Sequence, residues 1–101
     1  MLCVTPQRFL TIAAWFKSNG TGVEGIVNKY YNNSYKGYQI FLNDGNLCAW
    51  YFKDASNYIW DGSACGLQVT GYNDNRWHHV VFVVDASGGS LYVDGVLKAN
   101  R

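Results

Sequence analysis

The chain has 101 residues, which suffices for one domain, spanning residues 1–101, with a modest hydrophobic core. Hydrophobic residues make up 49% of the chain and charged residues 15%, a composition too apolar for a disordered protein. The formal net charge is +1 and the basic residues form no stripe, which argues against nucleic acid or an anionic membrane as a partner. No apolar run approaches the roughly 20 residues needed to cross a bilayer.

Aromatic, β-branched and glycine residues are abundant and no segment keeps a helical period, so the chain favours β-structure. In the first predicted strand, alternate apolar residues share one face: Leu10, Ile12, Ala14 and Phe16. Strands are predicted at residues 9–17, 25–31, 37–42, 47–53, 57–60, 67–70, 77–84, 90–93 and 96–99. Seven to nine short strands separated by turn signals indicate an antiparallel sandwich or barrel, not a parallel α/β fold.

Two Asp-Gly pairs mark hairpin turns. Asp44-Gly45 lies between the third and fourth predicted strands, and Asp94-Gly95 lies between the last two. Asp and Gly tolerate the positive φ angles that a two-residue hairpin turn requires. Each pair therefore predicts a tight connection between neighbouring antiparallel strands.

The three cysteines, Cys3, Cys48 and Cys65, allow at most one internal disulfide. Cys48 with Cys65 is one pairing that could form. We favour three small buried thiols, because free cysteine is among the most buried residue types. The spacing matches no zinc pattern, since no C-x-x-C occurs.

Four segments together resemble the laminin G-like, or pentraxin-like, branch of the concanavalin A-like lectin/glucanase superfamily. They are residues 9–16 (FLTIAAWF), 37–42 (GYQIFL), 77–80 (WHHV) and 91–95 (LYVDG), in that order, and the resemblance covers residues 9 to 97. It implies a jelly-roll sandwich of two antiparallel sheets. It also implies that the tryptophans of these segments pack between the sheets, so we expect Trp15, Trp77 and Tyr92 to belong mostly to the core.

Members of that family are longer and carry further strands at both ends. The resemblance therefore implies a jelly roll trimmed at both termini, with open sheet edges and an incompletely covered core face. Open edges and apolar patches drive association, so we expect a homo-oligomer, or a fragment completed by a partner chain. Relatives are mostly secreted or surface-bound, whereas the first residues here do not form a signal peptide, so localisation stays open.

Trp77-His78-His79 invites comparison with a metal or catalytic site. Neighbouring residues of a strand point to opposite faces, so the two histidines cannot grip one ion together. We expect a packed tryptophan, one hydrogen-bonded histidine and one half-exposed histidine.

Glycoside hydrolysis, an activity of the wider superfamily, requires two carboxylates about 5 to 10 Å apart. The chain has a single glutamate, Glu24, with no acidic neighbour, and no G-x-S-x-G segment. We therefore expect no enzyme activity, with a degenerate glycoside hydrolase as the least favoured alternative.

Calcium is a ligand of many laminin G-like domains, and it requires several oxygen ligands. Asn73 and Asp74 lie in the most ligand-like cluster, Asn73-Asp74-Asn75, and form the candidate calcium site. No D-x-D-x-D spacing occurs, and Asp and Asn are common in ordinary turns. We therefore expect no cofactor, with calcium as the alternative.

The aromatic residues give the strongest indication of function, since there are more of them than a small core can bury. Tyr58 and Trp60 share a face by period-two spacing, and Tyr51 lies on the opposite face from Trp50 and Phe52. Exposed rings beside amides are typical of carbohydrate sites, and also of protein interfaces. The candidate ligand-binding residues are Tyr35, Tyr51, Tyr58 and Trp60.

The chain is thus predicted to be a non-catalytic binding module that recognises a glycan or a protein surface. The alternative is a structural protein whose aromatic surface and open edges mate with copies of itself.

Overall fold

The computed structural model describes residues 8–31, 36–60, 62, 64–85 and 88–101. Over these residues the chain forms nine strands: β1 (Arg8–Phe16), β2 (Val23–Tyr31), β3 (Lys36–Asn43), β4 (Asn46–Phe52), β5 (Tyr58–Ile59), β6 (Leu67–Val69), β7 (His78–Asp85), β8 (Gly88–Val93) and β9 (Val96–Asn100). They lie within a few residues of the predicted strands. No helix capable of spanning a membrane occurs in the described part of the chain.

The strands form two antiparallel sheets, which confirms the predicted fold class. The first sheet has the order β1-β7-β8-β9, and the second has the order β2-β3-β4-β5 with β6 also paired to β4. The edge strands β1 and β2 lie beside each other, as do β6 and β9, so the two sheets stack as a sandwich. Within the described ranges, β1 and β9 each have one neighbouring strand, which leaves their outer edges open.

The core lies between the sheets, and β7 shows how it is built. Val80, Phe82 and Val84 are at most 1% exposed and alternate with half-buried residues, as the period of two requires. They pack against buried side chains of the second sheet, including Ile40 and Leu47. Each such side chain contributes about 1.5–3 kcal/mol by leaving water.

The predicted inner face of β1 is confirmed, but the predicted burial of the two tryptophans is wrong. Leu10, Ile12, Ala14 and Phe16 face the core. Because neighbouring residues of a strand face opposite sides, Trp15 points outward and is 65% exposed, and Trp77 is 62% exposed. Tyr92 is half-buried and alternates with the core residues of β8.

Both predicted Asp-Gly turns are present. Asp44 and Gly45 have φ angles of 51° and 83°, and Asp94 and Gly95 have 52° and 81°. These left-handed angles are those of a two-residue hairpin turn. Asn43 accordingly pairs with Asn46 across the first turn.

Cys48 and Cys65 form a disulfide, so the expectation that both are free thiols is wrong. β4 pairs with β6, and a bridge between Ala49 and Gly66 brings the cysteine Cα atoms to 4.9 Å. Cysteine count alone could not reveal this contact, because it depends on the pairing of β4 with β6. Cys3 lies outside the described residues.

Candidate functional site

A cleft opens beside the point where β1 ends, between the two edge strands β1 and β2. We call it the end cleft, and its volume is about 320 Å³. Its floor is apolar and belongs to the sandwich core: Phe16, Ile26 and Leu42. The cleft therefore reaches from the surface to the interior.

Trp15 and Trp77 line the end cleft and are the most exposed tryptophans of the described chain. Trp15 pairs with His79 across β1 and β7, and the two rings lie 4.9 Å apart. This contact covers part of the Trp15 ring and leaves the rest open to solvent. Large exposed rings beside a concave apolar surface are typical of ligand sites.

Polar groups line the mouth of the end cleft. The hydroxyl of Ser18 donates a hydrogen bond to Oε1 of Glu24 over 2.6 Å and accepts one from the backbone N–H of Gly20 over 3.0 Å. Lys17 also lines the cleft. The lining thus includes one carboxylate side chain and one ammonium side chain next to aromatic rings.

The loop of residues 70–77 holds the segment that carries Ser18. The backbone N–H of Asn75 donates to the Ser18 carbonyl over 2.7 Å, and the side-chain amide of Asn73 donates to the Gly20 carbonyl over 3.0 Å. Trp77 is the last residue of this loop. The loop and residues 18–20 therefore shape the cleft as a connected unit.

The predicted calcium ligands, Asn73 and Asp74, form hydrogen bonds with different partners. Asn73 bonds Gly20, whereas Oδ1 of Asp74 lies 2.9 Å from Nε2 of His78 and accepts the backbone N–H of Arg76. Among the described residues, no group of three or more His, Cys, Asp or Glu side chains could hold a metal ion.

His78 is buried and lies between two carboxylates. Its Nε2 is 2.9 Å from Asp74 and its Nδ1 is 2.8 Å from Oδ2 of Asp94. Burial works against the charged ring, but the hydrogen bonds to Asp94 and Asp74 outweigh it and raise the pKa of His78 above 6.5. The same bonds lower the pKa of both carboxyls below 3.8.

The two histidines point to opposite faces, as predicted. His78 is hydrogen-bonded inside, and His79 is half-buried against Trp15. The expected packed tryptophan beside them is wrong, since Trp77 is exposed.

A second aromatic cluster lies on the outer face of the second sheet. We call it the outer aromatic face, and it comprises Tyr30, Phe41, Trp50, Phe52, Tyr58 and Trp60. Tyr58 and Trp60 share this face, as predicted, with ring centroids 5.7 Å apart, and Tyr58 is 44% exposed. The Cys48–Cys65 disulfide packs beneath it, against Phe41 and Trp50.

Two of the predicted ligand-binding residues do not join this cluster. Tyr51 lies on the inner face of β4 and packs against the core, so it cannot share a surface with Tyr58 and Trp60. Tyr35 lies outside the described residues.

The sequence interpretation missed the end cleft. One signal for it was present, because the alternation that turned Phe16 inward also turned Trp15 outward. The pairing of β1 with β7, which places Trp15 beside His79, has no counterpart in the local sequence.

Comparison with protein-family models identifies a family. The family model Laminin_G_3, described as concanavalin A-like lectin/glucanases superfamily, matches residues 3–101. No curated protein and no solved structure matches the chain significantly. The match covers nearly the whole chain and agrees with the two antiparallel sheets, so this protein belongs to the laminin G-like family of the concanavalin A-like lectin/glucanase superfamily.

Proposed function

We propose that this domain is a carbohydrate-binding module whose ligand occupies the end cleft. Laminin G-like domains are generally non-catalytic binding modules. The observation that carries the proposal is the pair Trp15 and Trp77, which line one cleft while more than 60% exposed. Most of the surface of each indole is exposed and does not contribute to the core, whereas it offers a sugar ring an apolar surface to lie on.

The chemistry of the mouth supports the same ligand class. Sugar hydroxyls both donate and accept hydrogen bonds, and Glu24 can accept them while Lys17 can donate. Ser18 holds one oxygen of Glu24 through a bond of 2.6 Å, so the carboxylate is oriented before a ligand arrives. Orientation in advance reduces the entropy lost on binding.

The size of the cleft supports a small ligand. About 320 Å³ lies at the lower end of the range of about 300–1,000 Å³ typical of small-molecule sites. One sugar ring fits such a volume better than a long oligosaccharide does. Glu24 is the one carboxylate of the cleft among the described residues, whereas glycoside hydrolysis requires two.

The test is calorimetric titration of the full chain with the methyl glycosides of glucose, galactose, mannose and N-acetylglucosamine. We expect one of them to bind, and Trp15→Ala or Trp77→Ala to weaken that binding at least tenfold. Trp60→Ala is the matched control, because it removes a tryptophan from the other aromatic cluster. Circular dichroism of each variant checks folding, and binding of none of the four glycosides would overturn the proposal.

The same titration decides between the two aromatic surfaces. The outer aromatic face is the second candidate for the sugar site, because Tyr58 is partly exposed beside Trp60. Loss of binding in Trp60→Ala together with full binding in Trp15→Ala would assign the sugar site to the outer aromatic face.

Self-association is the second candidate function. Apolar side chains are exposed on edge strands: Val23 of β2 at 67%, and Val96 and Leu97 of β9 at 54% and 48%. Exposed apolar edges are sites of pairing between chains. Light scattering at micromolar concentration should then show a dimer or larger species, and a strictly monomeric mass would exclude this candidate.

A further inference from the structure

We propose that His78 is a positioning residue for the end cleft: its imidazolium ties Asp74 to Asp94, fixes the wall formed by Trp77, and makes sugar binding weaken as the ring loses its proton. The binding part rests on the proposed function of the cleft. The hold of His78 on Trp77 rests on the geometry alone.

The charge of His78 follows from the acceptors on its two nitrogens. Both Nε2 and Nδ1 lie within 2.9 Å of carboxylate oxygens, one from Asp74 and one from Asp94. A neutral imidazole carries one N–H and can donate to only one of them, whereas the imidazolium donates to both. On deprotonation, one carboxylate must face a ring lone pair, and that contact opens.

Asp74 carries this change to the cleft wall. It lies in the loop of residues 70–77 and accepts the backbone N–H of Arg76, the residue next to Trp77. The following residue, Asn75, donates to the carbonyl of Ser18 over 2.7 Å. When Asp74 is the carboxylate that loses its bond to His78, the loop loses a tie to β7 next to both of these residues.

The floor of the cleft is also adjacent to His78. The ring centroid of Phe16 lies 5.6 Å from that of the imidazole, and the ring centroid of Tyr72 lies 4.9 Å from it with the ring planes at 88°. These two rings bury the imidazole and separate it from solvent. The proton on His78 thus acts within one side-chain layer of the ligand surface.

The titratable groups facing His78 are few among the described residues. Asp74 faces it from the loop, Asp94 from the turn between β8 and β9, and Tyr72 from the same loop as Asp74. The carboxyls have lowered pKa values, and burial with the nearby carboxylates raises the pKa of Tyr72 above 10. Between the pKa values of the two carboxyls and that of Tyr72, His78 is the one of these four groups that changes charge.

The effect of His78 on the position of Trp77 is tested without any sugar. The indole N–H resonance of Trp77, assigned with Trp77→Phe, is followed by ¹⁵N NMR from pH 5.5 to 9 together with the imidazole resonances of His78. We expect both to shift with one midpoint, and the Trp77 shift to disappear in His78→Gln. His79→Gln is the matched control and should leave it in place.

A second variant guards against loss of folding in His78→Gln. Asp74→Asn keeps the pair of His78 with Asp94 and weakens the link to the loop. We expect the Trp77 resonance of Asp74→Asn to follow the His78 titration with a clearly smaller shift. A Trp77 resonance that stays flat through the His78 titration in the unmodified chain overturns the inference.

The binding half uses whichever of the four methyl glycosides binds, titrated across the same pH range. We expect affinity to fall at least threefold as His78 deprotonates, and to become independent of pH in His78→Gln. Affinity that is constant with pH in the unmodified chain overturns this half. If no glycoside binds but the Trp77 indole resonance still shifts with the titration of His78, the proposed function fails and the effect of His78 on Trp77 is supported.

Discussion

His78 Nδ1 and Asp94 Oδ2 lie 2.8 Å apart, so the first residue of β7 is bonded to the turn that joins β8 to β9. The other oxygen of Asp94 accepts the backbone N–H of His79 over 2.9 Å, and the backbone N–H of Asp94 donates to the His79 carbonyl. Asp94, which forms the turn with a φ angle of 52°, therefore also binds the first residues of the central strand β7. Its carboxylate links β7 to the β8–β9 turn at one end of the first sheet.

Stability should depend on pH through this contact. Because the pKa of His78 is raised in the folded state, its contribution is complete below about 6.5 and is lost as the pH rises through the folded value. Because the pKa values of Asp74 and Asp94 are lowered, their contribution is complete above about 3.8 and is lost on acidification. The thermal midpoint, measured by calorimetry from pH 3 to 9, should be highest between these limits. Asp94→Asn should lower and flatten this maximum, and an unchanged profile would contradict the assignment.

Removal of the disulfide should destabilise the fold. The bond joins residues 17 positions apart, and closing a loop of about this size contributes roughly 3 kcal/mol. The double variant Cys48→Ala, Cys65→Ala should lose about that free energy of unfolding in urea titrations. Reductant should have a similar effect on the unmodified chain and none on the double variant. Three reactive thiols per unfolded, unreduced chain would show that the bond is absent.

Truncation of a central core residue should cost more than truncation of an exposed one. Phe82 is fully buried between the sheets, so Phe82→Ala should lower the free energy of unfolding by about 3–5 kcal/mol. Val23 is 67% exposed, and Val23→Ala should change stability by about 0.5 kcal/mol or less. Equal effects of the two variants in denaturant titrations would contradict the placement of the core.

Two glycines on paired strands should respond differently to a methyl group. Gly37 has a φ angle of 114°, and a Cβ atom there would overlap the backbone carbonyl of Lys29 on β2. Gly37→Ala should therefore destabilise the second sheet by more than the roughly 1 kcal/mol of an ordinary glycine effect. Gly25 has open space around it, so Gly25→Ala should be neutral or stabilising by up to about 1 kcal/mol. Thermal unfolding compares the two directly.

The fold was predictable where the signal is local. Alternation in β1 identified its inner face, and Asp44-Gly45 with Asp94-Gly95 identified two turns, because each depends on a few neighbouring residues. The resemblance of four segments identified the family, and the match over residues 3–101 confirms it.

The site was less predictable because it depends on strand pairing. Cys48 meets Cys65 only after β6 joins β4, and His78 meets Asp94 only after β7, β8 and β9 assemble. Trp15 and Trp77 were assigned to the core from the family pattern, whereas the alternation beside Phe16 turned Trp15 outward. Tyr58 and Trp60 were placed on one face correctly, since that inference needed only their spacing.

The pairing of β1 with β7 has a consequence for the order of folding. Most neighbouring strands are joined by short connections, but β1 and β7 are separated by all strands of the second sheet. Closing so long a loop is slow, because the chain between β1 and β7 must lose conformational entropy before these two strands make any contact. We therefore expect the β3–β4 hairpin and the β7–β8–β9 meander to form first and β1 to dock last. Mutations on the inner face of β1, such as Ile12→Val, should then accelerate unfolding and leave the folding rate nearly unchanged.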